Sequence, residues 1–149
     1  MPALTKYWKK GGIYFENHVA VVPVCGPSRS SLKLGRYPHN NGYKMNGDIS
    51  SVASYCGKAG HANDTVGNWL ARAGVHTAFL GKNINNCESP PESGWSHFGG
   101  LQNTYDFYNA SIYDVDFFDG DGTMPSRDGG IKLMTHVHQS QFLADFTVQ

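Results

Sequence analysis

An α/β fold, in which helices flank a mixed β-sheet, is predicted by two stretches of the chain. In the first stretch, an apolar run at residues 19–24 leads into a short helical pattern at residues 28–34. In the second, a helical pattern at residues 65–73 is followed by a glycine and an apolar segment at residues 75–80. Strands that alternate with helices are typical of a layered fold in which helices cover a sheet.

The composition of the 149-residue chain excludes several classes of protein. Twelve Lys and Arg residues balance twelve Asp and Glu residues, so nothing in the charge favours nucleic acid or an anionic membrane as a partner. No apolar run approaches the roughly 18 residues of a membrane span. The first ten residues are Lys-rich without an apolar centre, so they do not form a signal peptide. Long apolar segments are few, and the fold is therefore expected to be incomplete.

The first part of the chain predicts two helices with a strand between them. Residues 2–10 predict a helix whose apolar face carries Leu4, Tyr7 and Trp8. Residues 13–24 are rich in β-branched and aromatic side chains, which predicts a strand. The helix that follows is expected to stop at Gly35, because glycine readily takes the left-handed conformation that closes helices.

The middle of the chain predicts a long loop and then the second helix and strand. Proline, asparagine and glycine residues predict a loop over residues 37–60. Asp64 is a suitable N-cap for the helix at residues 65–73. Lys82 comes at the carboxyl end of the apolar segment after this helix, where functional groups gather in α/β folds. Beyond residue 83 the chain predicts mostly loop.

Cys25 stands where the first predicted strand gives way to the start of a helix. Gly26 permits a tight turn, and Pro27 suits the first position of a helix. The unpaired N–H groups and the positive dipole end at such a position favour an anion or a thiolate. Arg29 and Arg36, one and about three turns further on, can offer paired donors to a tetrahedral oxyanion. The pattern therefore predicts a nucleophile beside an anion-binding group.

The spacing Cys-Gly-Pro-Ser-Arg at residues 25–29, followed by Gly-Arg at 35–36, resembles the signature of the type I sulfatases. A cysteine phosphatase would need arginine six positions after the cysteine, where this chain has Ser31. Further similar segments lie at residues 36–42, 65–82 and 94–109. The chain looks most like the arylsulfatase and N-acetylglucosamine-6-sulfatase group. That group has Tyr-Leu-Asn after the Gly-Lys pair, where this chain has Asn-Ile-Asn at residues 83–85.

The resemblance implies part of the alkaline-phosphatase-like fold of sulfatases. Residues 1–110 would form an early portion of the catalytic domain, and residues 111–149 would be a divergent, loop-rich tail of it. In the family, metal-binding aspartates lie upstream of the Met-Pro-x-Leu segment that begins this chain, and others lie far downstream. The chain is therefore expected to be a fragment or a truncated product. The family also usually has Leu or Met, then Thr, where this chain has Lys33 and Leu34.

The chemistry that the resemblance implies is hydrolysis of a sulfate ester of an aryl alcohol or an amino sugar. Cys25 would be converted to formylglycine by the formylglycine-generating enzyme, and the hydrated aldehyde would be both the nucleophile and a ligand of Ca²⁺. The main acidic ligands of that ion would lie outside this chain. Arg29 would hold the hydrate, and Lys82 would bind a sulfate oxygen and favour departure of the bridging oxygen. Arg36 would brace the loop after the helix.

Each of these residues also has a structural interpretation. Cys25 can be a buried thiol, Arg29 a charge on a helix surface, and Lys82 a solvated lysine after a strand. The corresponding alternative for the whole chain is a truncated, noncatalytic sulfatase-like protein that binds anions or a partner protein. Absence of the metal-binding aspartates favours this alternative for the 149 residues taken alone.

The remaining cysteines and two sequons bear on the cellular compartment. Cys56 and Cys87 can pair in an oxidising compartment, or both can be ordinary thiols, and sequence alone leaves both alternatives open. Asn63 and Asn109 each begin an Asn-x-Ser/Thr sequence, which is an acceptor for N-glycosylation. These features favour a secretory route for the parent protein, secreted or lysosome-like.

Overall fold

The computed structural model describes residues 2, 4–57, 61–87, 92–101, 108, 111–116, 131–133 and 138–148. In these ranges a π-helix spans Leu4–Lys9 and a 3₁₀ helix spans His61–Asn63. The α-helices are α1 (Cys25–Leu34), α2 (Pro38–Asn41), α3 (Ile49–Cys56), α4 (Val66–Arg72) and α5 (Gln139–Val148). The strands are β1 (Ala78–Lys82), β2 (His97–Leu101), β3 (Ser111–Asp116) and β4 (Ile131–Leu133).

The four strands form one mixed sheet in the order β1-β2-β3-β4. β1 runs parallel to β2, whereas the β2–β3 and β3–β4 pairs are antiparallel. Phe79 on β1 lies opposite Phe98 on β2, and their rings stack with centroids 5.2 Å apart. The mixed sheet that the sequence predicts is therefore confirmed, and its first strand ends at Lys82 as expected.

Helix α1 contains the predicted helix but begins three residues earlier, at Cys25. It closes at Gly35, whose φ of 60° is left-handed, as the sequence predicts. Gly26 is buried in the first turn and donates its N–H to Asn46 Oδ1 over 2.9 Å. A Cβ at this position would lie 2.4 Å from Cε1 of Tyr43, so the approach of the Tyr43 ring requires glycine here.

The strand predicted at residues 13–24 is wrong. These residues form turns, bends and irregular segments, and none of the described strands pairs with them. Ile13 and Val19 expose 84% and 78% of their surface. An apolar and β-branched pattern becomes a strand only where a neighbouring strand accepts and donates its backbone hydrogen bonds. The helix predicted at the N-terminus is present as the π-helix, with its apolar side chains exposed.

The loop predicted at residues 37–60 is also wrong in part, because it contains α2 and α3. The residues that suggested turns are helix boundaries: Gly42 closes α2 with a φ of 79°, and Asp48 caps α3 by accepting the Ser51 N–H over 2.8 Å. The N-cap of α4 is Thr65 rather than the predicted Asp64. Asp64 instead accepts a hydrogen bond of 2.8 Å from the Trp69 indole.

Three strands and α5 lie beyond residue 83, where the sequence predicts mostly loop. β2 reads His-Phe-Gly-Gly-Leu, and glycines lower strand propensity. Its pairing on both sides with β1 and β3 supplies the order that its sequence does not indicate. The division of the domain at residue 110 stays a prediction, and Asn109 lies outside the described residues.

A small core joins α1, α3 and the segment after β1, and a disulfide packs against it. Leu34, Tyr43, Tyr55 and Ile84 are its buried apolar members. The disulfide joins Cys56 at the end of α3 to Cys87, with Cα atoms 5.8 Å apart. Of the two alternatives for these cysteines, the structure has the paired one, and the pair ties α3 to the segment that follows β1.

Candidate active site

Cys25 lies in the first turn of α1 with its side chain exposed, and it is not in a disulfide. The pKa of its thiol is lowered, chiefly by a hydrogen bond with the Asn46 side chain. Desolvation raises this pKa, but by less than the hydrogen bond lowers it. The positive charges of Lys82 and Arg29 lower it further. A thiolate at this position is therefore electrostatically stabilised, and the same charges would favour an oxyanion there.

Arg29 lies four residues after Cys25 on the same helix and is half-buried. Its Nη2 donates to Asn85 Oδ1 over 2.5 Å, which orients the guanidinium from the segment after β1. Its Nε is buried and makes no hydrogen bond within the described part of the chain. The group thus has donor capacity to offer an anion beside Cys25.

Lys82 is the last residue of β1, and its side chain lies close enough to Cys25 for its charge to act on the thiol. The three residues predicted to carry the chemistry are therefore brought together by two elements, α1 and β1. Arg36 is not among them: its Nη2 lies 3.4 Å from Asp64 Oδ2 at the surface. Asp64 also pairs with Arg72 of α4, so this contact braces the end of α1 against α4.

The structure adds Asn46 and Asn85, which the sequence pattern did not indicate as site residues. Asn46 lies in an Asn-Gly-Asp turn and contacts Cys25 through its side chain. Asn85 is held through its carbonyl by the buried Tyr43, whose hydroxyl donates over 2.8 Å. Both asparagines lie in turn-rich segments, where the residue type indicates a turn as readily as a ligand. One feature of the sequence could have identified Asn85: it is the third residue after the Gly-Lys pair, where the family pattern also has Asn.

Lys33 is buried near this region, where the family pattern has an apolar residue. Its Nζ lies 2.5 Å from Glu92 Oε2, and it sits 4.0 Å from the centroid of the Phe79 ring. Burial lowers the pKa of Lys33, and the charge of Glu92 opposes that effect. The ion pair and the ring offset part of the cost of burying an ammonium group.

The described residues do not form a calcium site by themselves. No group of three or more His, Cys, Asp or Glu side chains is arranged to hold a metal within those ranges. The oxygen donor identified beside Cys25 is the amide of Asn46, whereas Ca²⁺ takes six to eight oxygens that usually include carboxylates. A calcium ion at Cys25 would need ligands from elsewhere.

Comparison with known proteins gives a consistent result. The family model described as Sulfatase matches residues 1–146. The chain is 34% identical over 115 residues to the Extracellular sulfatase SULF-1 homolog of Drosophila melanogaster, covering 75% of this chain and 10% of that protein. It is 28% identical over 111 residues to human N-acetylglucosamine-6-sulfatase, covering 68% of this chain and 20% of that protein.

A solved structure shares the fold. The structure of BT4656 in complex with its substrate, D-glucosamine-2-N,6-O-disulfate, matches with a TM-score of 0.64 at 23% identity and covers 90% of this chain. The chain spans 22% of that protein, and about a tenth to a fifth of the curated relatives above. The predicted fold, a part of the alkaline-phosphatase-like sulfatase fold, is thereby confirmed. The chain belongs to the sulfatase family.

Proposed function

We propose that this chain is the part of a sulfate-ester hydrolase that carries the nucleophile, derived from Cys25. The observation that supports this function is the convergence of Arg29 and Lys82 on Cys25 at the start of α1. Two cations beside a nucleophile favour a substrate whose reacting group is an anion. Because the chain spans only part of its relatives, the reaction is assigned to the whole protein from which it comes.

The nucleophile of the proposed reaction is made before catalysis. The formylglycine-generating enzyme, with the oxidant that it uses, would oxidise the Cβ of Cys25 by two electrons and replace sulfur with oxygen. Addition of water to the resulting aldehyde gives a hydrate with two hydroxyl groups on one carbon. The position in the first helical turn, with an exposed side chain, leaves the thiol accessible to such an enzyme.

The hydrate then cleaves the ester in two steps. One hydroxyl loses its proton and attacks sulfur, the S–O bond to the alcohol breaks, and the alcohol leaves with a proton. The second hydroxyl loses its proton, the aldehyde C=O forms again, and the C–O bond to sulfate breaks to release sulfate. Water hydrates the aldehyde for the next cycle, so one ester and one water give one alcohol and one hydrogen sulfate ion.

Arg29 and Lys82 would stabilise the charge that moves through these steps. Arg29 lies on the helix that carries residue 25, so we assign it to the hydrate and its developing negative charge. Lys82 approaches from β1, and we assign it to a sulfate oxygen and to the departing bridging oxygen. Fixed donors that face developing charge in a partly desolvated site are among the largest contributions to catalysis.

A divalent metal is generally bound by sulfatases, and we propose Ca²⁺ for the parent protein. The described residues do not supply its carboxylate ligands, so no step above is assigned to the ion. The two cations beside Cys25 also support a second function, for the 149-residue chain taken alone. Such a chain would bind anions at Arg29 and Lys82 without turning an ester over, as expected of a noncatalytic sulfatase-like protein.

The substrate class and the compartment rest on relatives and on surface features. Relatives named arylsulfatase, from Chlamydomonas reinhardtii, and N-acetylglucosamine-6-sulfatase support an aryl or amino-sugar sulfate. A relative named as extracellular and the Cys56–Cys87 disulfide support a secretory route. Asn63 is exposed in the 3₁₀ helix, which suits N-glycosylation. No helix in the described ranges is long and apolar enough to cross a membrane.

The test is mass spectrometry of the Cys25 peptide from the native protein, followed by turnover of an aryl sulfate with added calcium. We expect the intact parent to show replacement of hydrogen sulfide by oxygen at Cys25, and Cys25→Ala to abolish its activity. Sustained turnover by the Cys25→Ala parent would exclude the formylglycine mechanism. We expect negligible turnover by the 149-residue chain, and clear calcium-dependent turnover by that chain would refute this expectation.

A further inference from the structure

Two cations on one face of α1 each hold an asparagine of the segment that follows β1. Arg29 and Lys33 are four residues apart, which places them one helical turn apart on the same side. Arg29 Nη2 donates to Asn85 Oδ1, and Lys33 Nζ donates to Asn83 Oδ1. The helix that begins with Cys25 is therefore joined at two points to the segment that begins after Lys82.

The Lys33 end of this connection is held in place by a buried carboxylate. The side chains of Lys33 and Glu92 expose 6% and 2% of their surface. Besides Lys33, Glu92 accepts hydrogen bonds from the Tyr55 hydroxyl and from the Trp95 indole, the latter over 3.1 Å. A carboxylate with three donors from three parts of the chain has little freedom to move, and it restricts the ammonium group of Lys33 in turn.

An apolar pair at this position is expected to serve the stability of the fold about as well as the charged pair. Replacing a buried ion pair by apolar residues of similar volume is often neutral or stabilising, because both ions lose their hydration. A hydrogen bond from a fixed donor defines the position of its acceptor, which apolar contacts do not. Here that acceptor is the side chain of Asn83, the residue directly after Lys82.

We propose that Lys33, held by Glu92, is a positioning residue that acts through Asn83 to keep Lys82 beside Cys25. The role of Lys33 in catalysis rests on the proposed function, in which Lys82 binds the sulfate group. The buried Ile84 and the Tyr43 bond to Asn85 anchor the rest of the segment. The pairing of β1 with β2 fixes the main chain at Lys82, and the Lys33–Asn83 contact holds the side chain of the residue that follows.

A pair of alkylating reagents measures the position of Lys82 without any catalysis. Iodoacetate is an anion and iodoacetamide is neutral, and in both reactions the Cys25 thiolate forms an S–C bond while iodide leaves. The thiolate fraction is the same for both reagents, so the ratio of the two rates reports the local positive charge felt by the anion. Cys25 is the free cysteine of the chain, and the unconverted 149-residue protein is used.

The informative variant is Asn83→Ala, because it removes the contact without changing any charge. Relative to N-acetylcysteine, we expect the wild-type chain to favour iodoacetate, and Lys82→Met to lower the rate ratio about threefold. Asn83→Ala should lower the ratio about twofold, since the end of β1 that carries Lys82 is then held less firmly beside Cys25. Thr65→Ala, which removes the N-cap of α4, is the matched control and should lower the melting temperature without changing the ratio.

The double variant Lys33→Met/Glu92→Gln separates positioning from stability. It removes both buried charges together, so we expect a folded protein with a ratio as low as that of Asn83→Ala. An unchanged ratio in Asn83→Ala or in the double variant would overturn the proposal, as would an unchanged ratio in Lys82→Met. The assay needs neither formylglycine nor metal nor turnover, so its failure is distinct from failure of the sulfatase function.

Discussion

Two neighbouring regions of this chain differ in packing, and the region richer in apolar residues is the more exposed one. Among residues 4–24, which include Trp8, Ile13 and Phe15, no described side chain is buried. Residues 25–57 include the buried Leu34, Tyr43 and Tyr55, and they carry the nucleophile. Apolar side chains alone therefore do not bury a segment, and the second region differs from the first in its polar connections.

Those polar connections are concentrated on a few buried side chains. Asn41 is fully buried and donates to Ser30, Ser31 and the Arg36 carbonyl, while its Oδ1 accepts the Tyr43 N–H over 2.8 Å. In residues 4–24 the backbone hydrogen bonds, such as Gly12 N–H to the Trp8 carbonyl, join residues close in sequence. Polar contacts between separate elements, such as those of Asn41 with α1 and of Arg29 with Asn85, thus fix the region around Cys25, and local ones shape the N-terminal segment.

The largest expected effect comes from breaking the buried ion pair. Glu92→Gln leaves the Lys33 ammonium buried without its counter-ion, and we expect the free energy of unfolding to fall by about 3 kcal/mol. The measurement is urea denaturation of the 149-residue chain. The double variant Lys33→Met/Glu92→Gln should recover at least half of that loss. A double variant as unstable as the single one would show that the pair itself provides the stability.

A smaller loss is expected from Asn41→Ala. The change leaves the polar groups around Asn41 without a partner in the interior, which should cost about 2 kcal/mol in the free energy of unfolding. Asn40→Ala is the matched control, because Asn40 is exposed on the same helix and its loss should cost under about 0.5 kcal/mol. Equal losses in the two variants would mean that burial of Asn41 carries no stability.

The pH dependence of α3 gives a third, weaker effect. Hydrogen bonds from Ser50 and Ser51 lower the pKa of Asp48 from 3.8 to about 2. Because the folded-state pKa is depressed, the stabilisation is present above about pH 4 and is lost as the pH falls toward 2. In thermal melts, the melting temperature should fall as the pH is lowered from 5 to 2. Asp48→Asn keeps a capping side chain but does not titrate. If its melting temperature fell as steeply with decreasing pH, the effect would not come from Asp48.

The smallest effect is expected in the N-terminal segment. Ile13→Ser removes an apolar side chain that is already exposed to water, so the free energy of unfolding of the 149-residue chain should change by less than about 0.5 kcal/mol. Ile84→Ser, at a position with 4% exposure, is the contrasting variant and should cost several times more. A large loss in Ile13→Ser would mean that residues 4–24 are packed in solution, and the comparison above would fail.

Prediction from sequence succeeded where one local rule decided the outcome. Gly35 ends α1 because glycine accepts the left-handed conformation at little cost, and Lys82 ends β1 after a short apolar segment. It failed where two local interpretations compete. Asn, Asp and Gly at residues 40–48 indicate turns or helix boundaries equally well, and only the packing of Tyr43 and Tyr55 in one core selects helices there.

The sequence by itself determined the family, the element that carries Cys25, and the spacing of Arg29, because these depend on residue types at short separations. The tertiary structure decided which distant side chains meet. Lys33 and Asn83 each depart from the family pattern, and the structure places them in contact although 50 residues separate them. Only folding supplies the desolvated surroundings in which Glu92 and Asn83 together can hold a buried ammonium group.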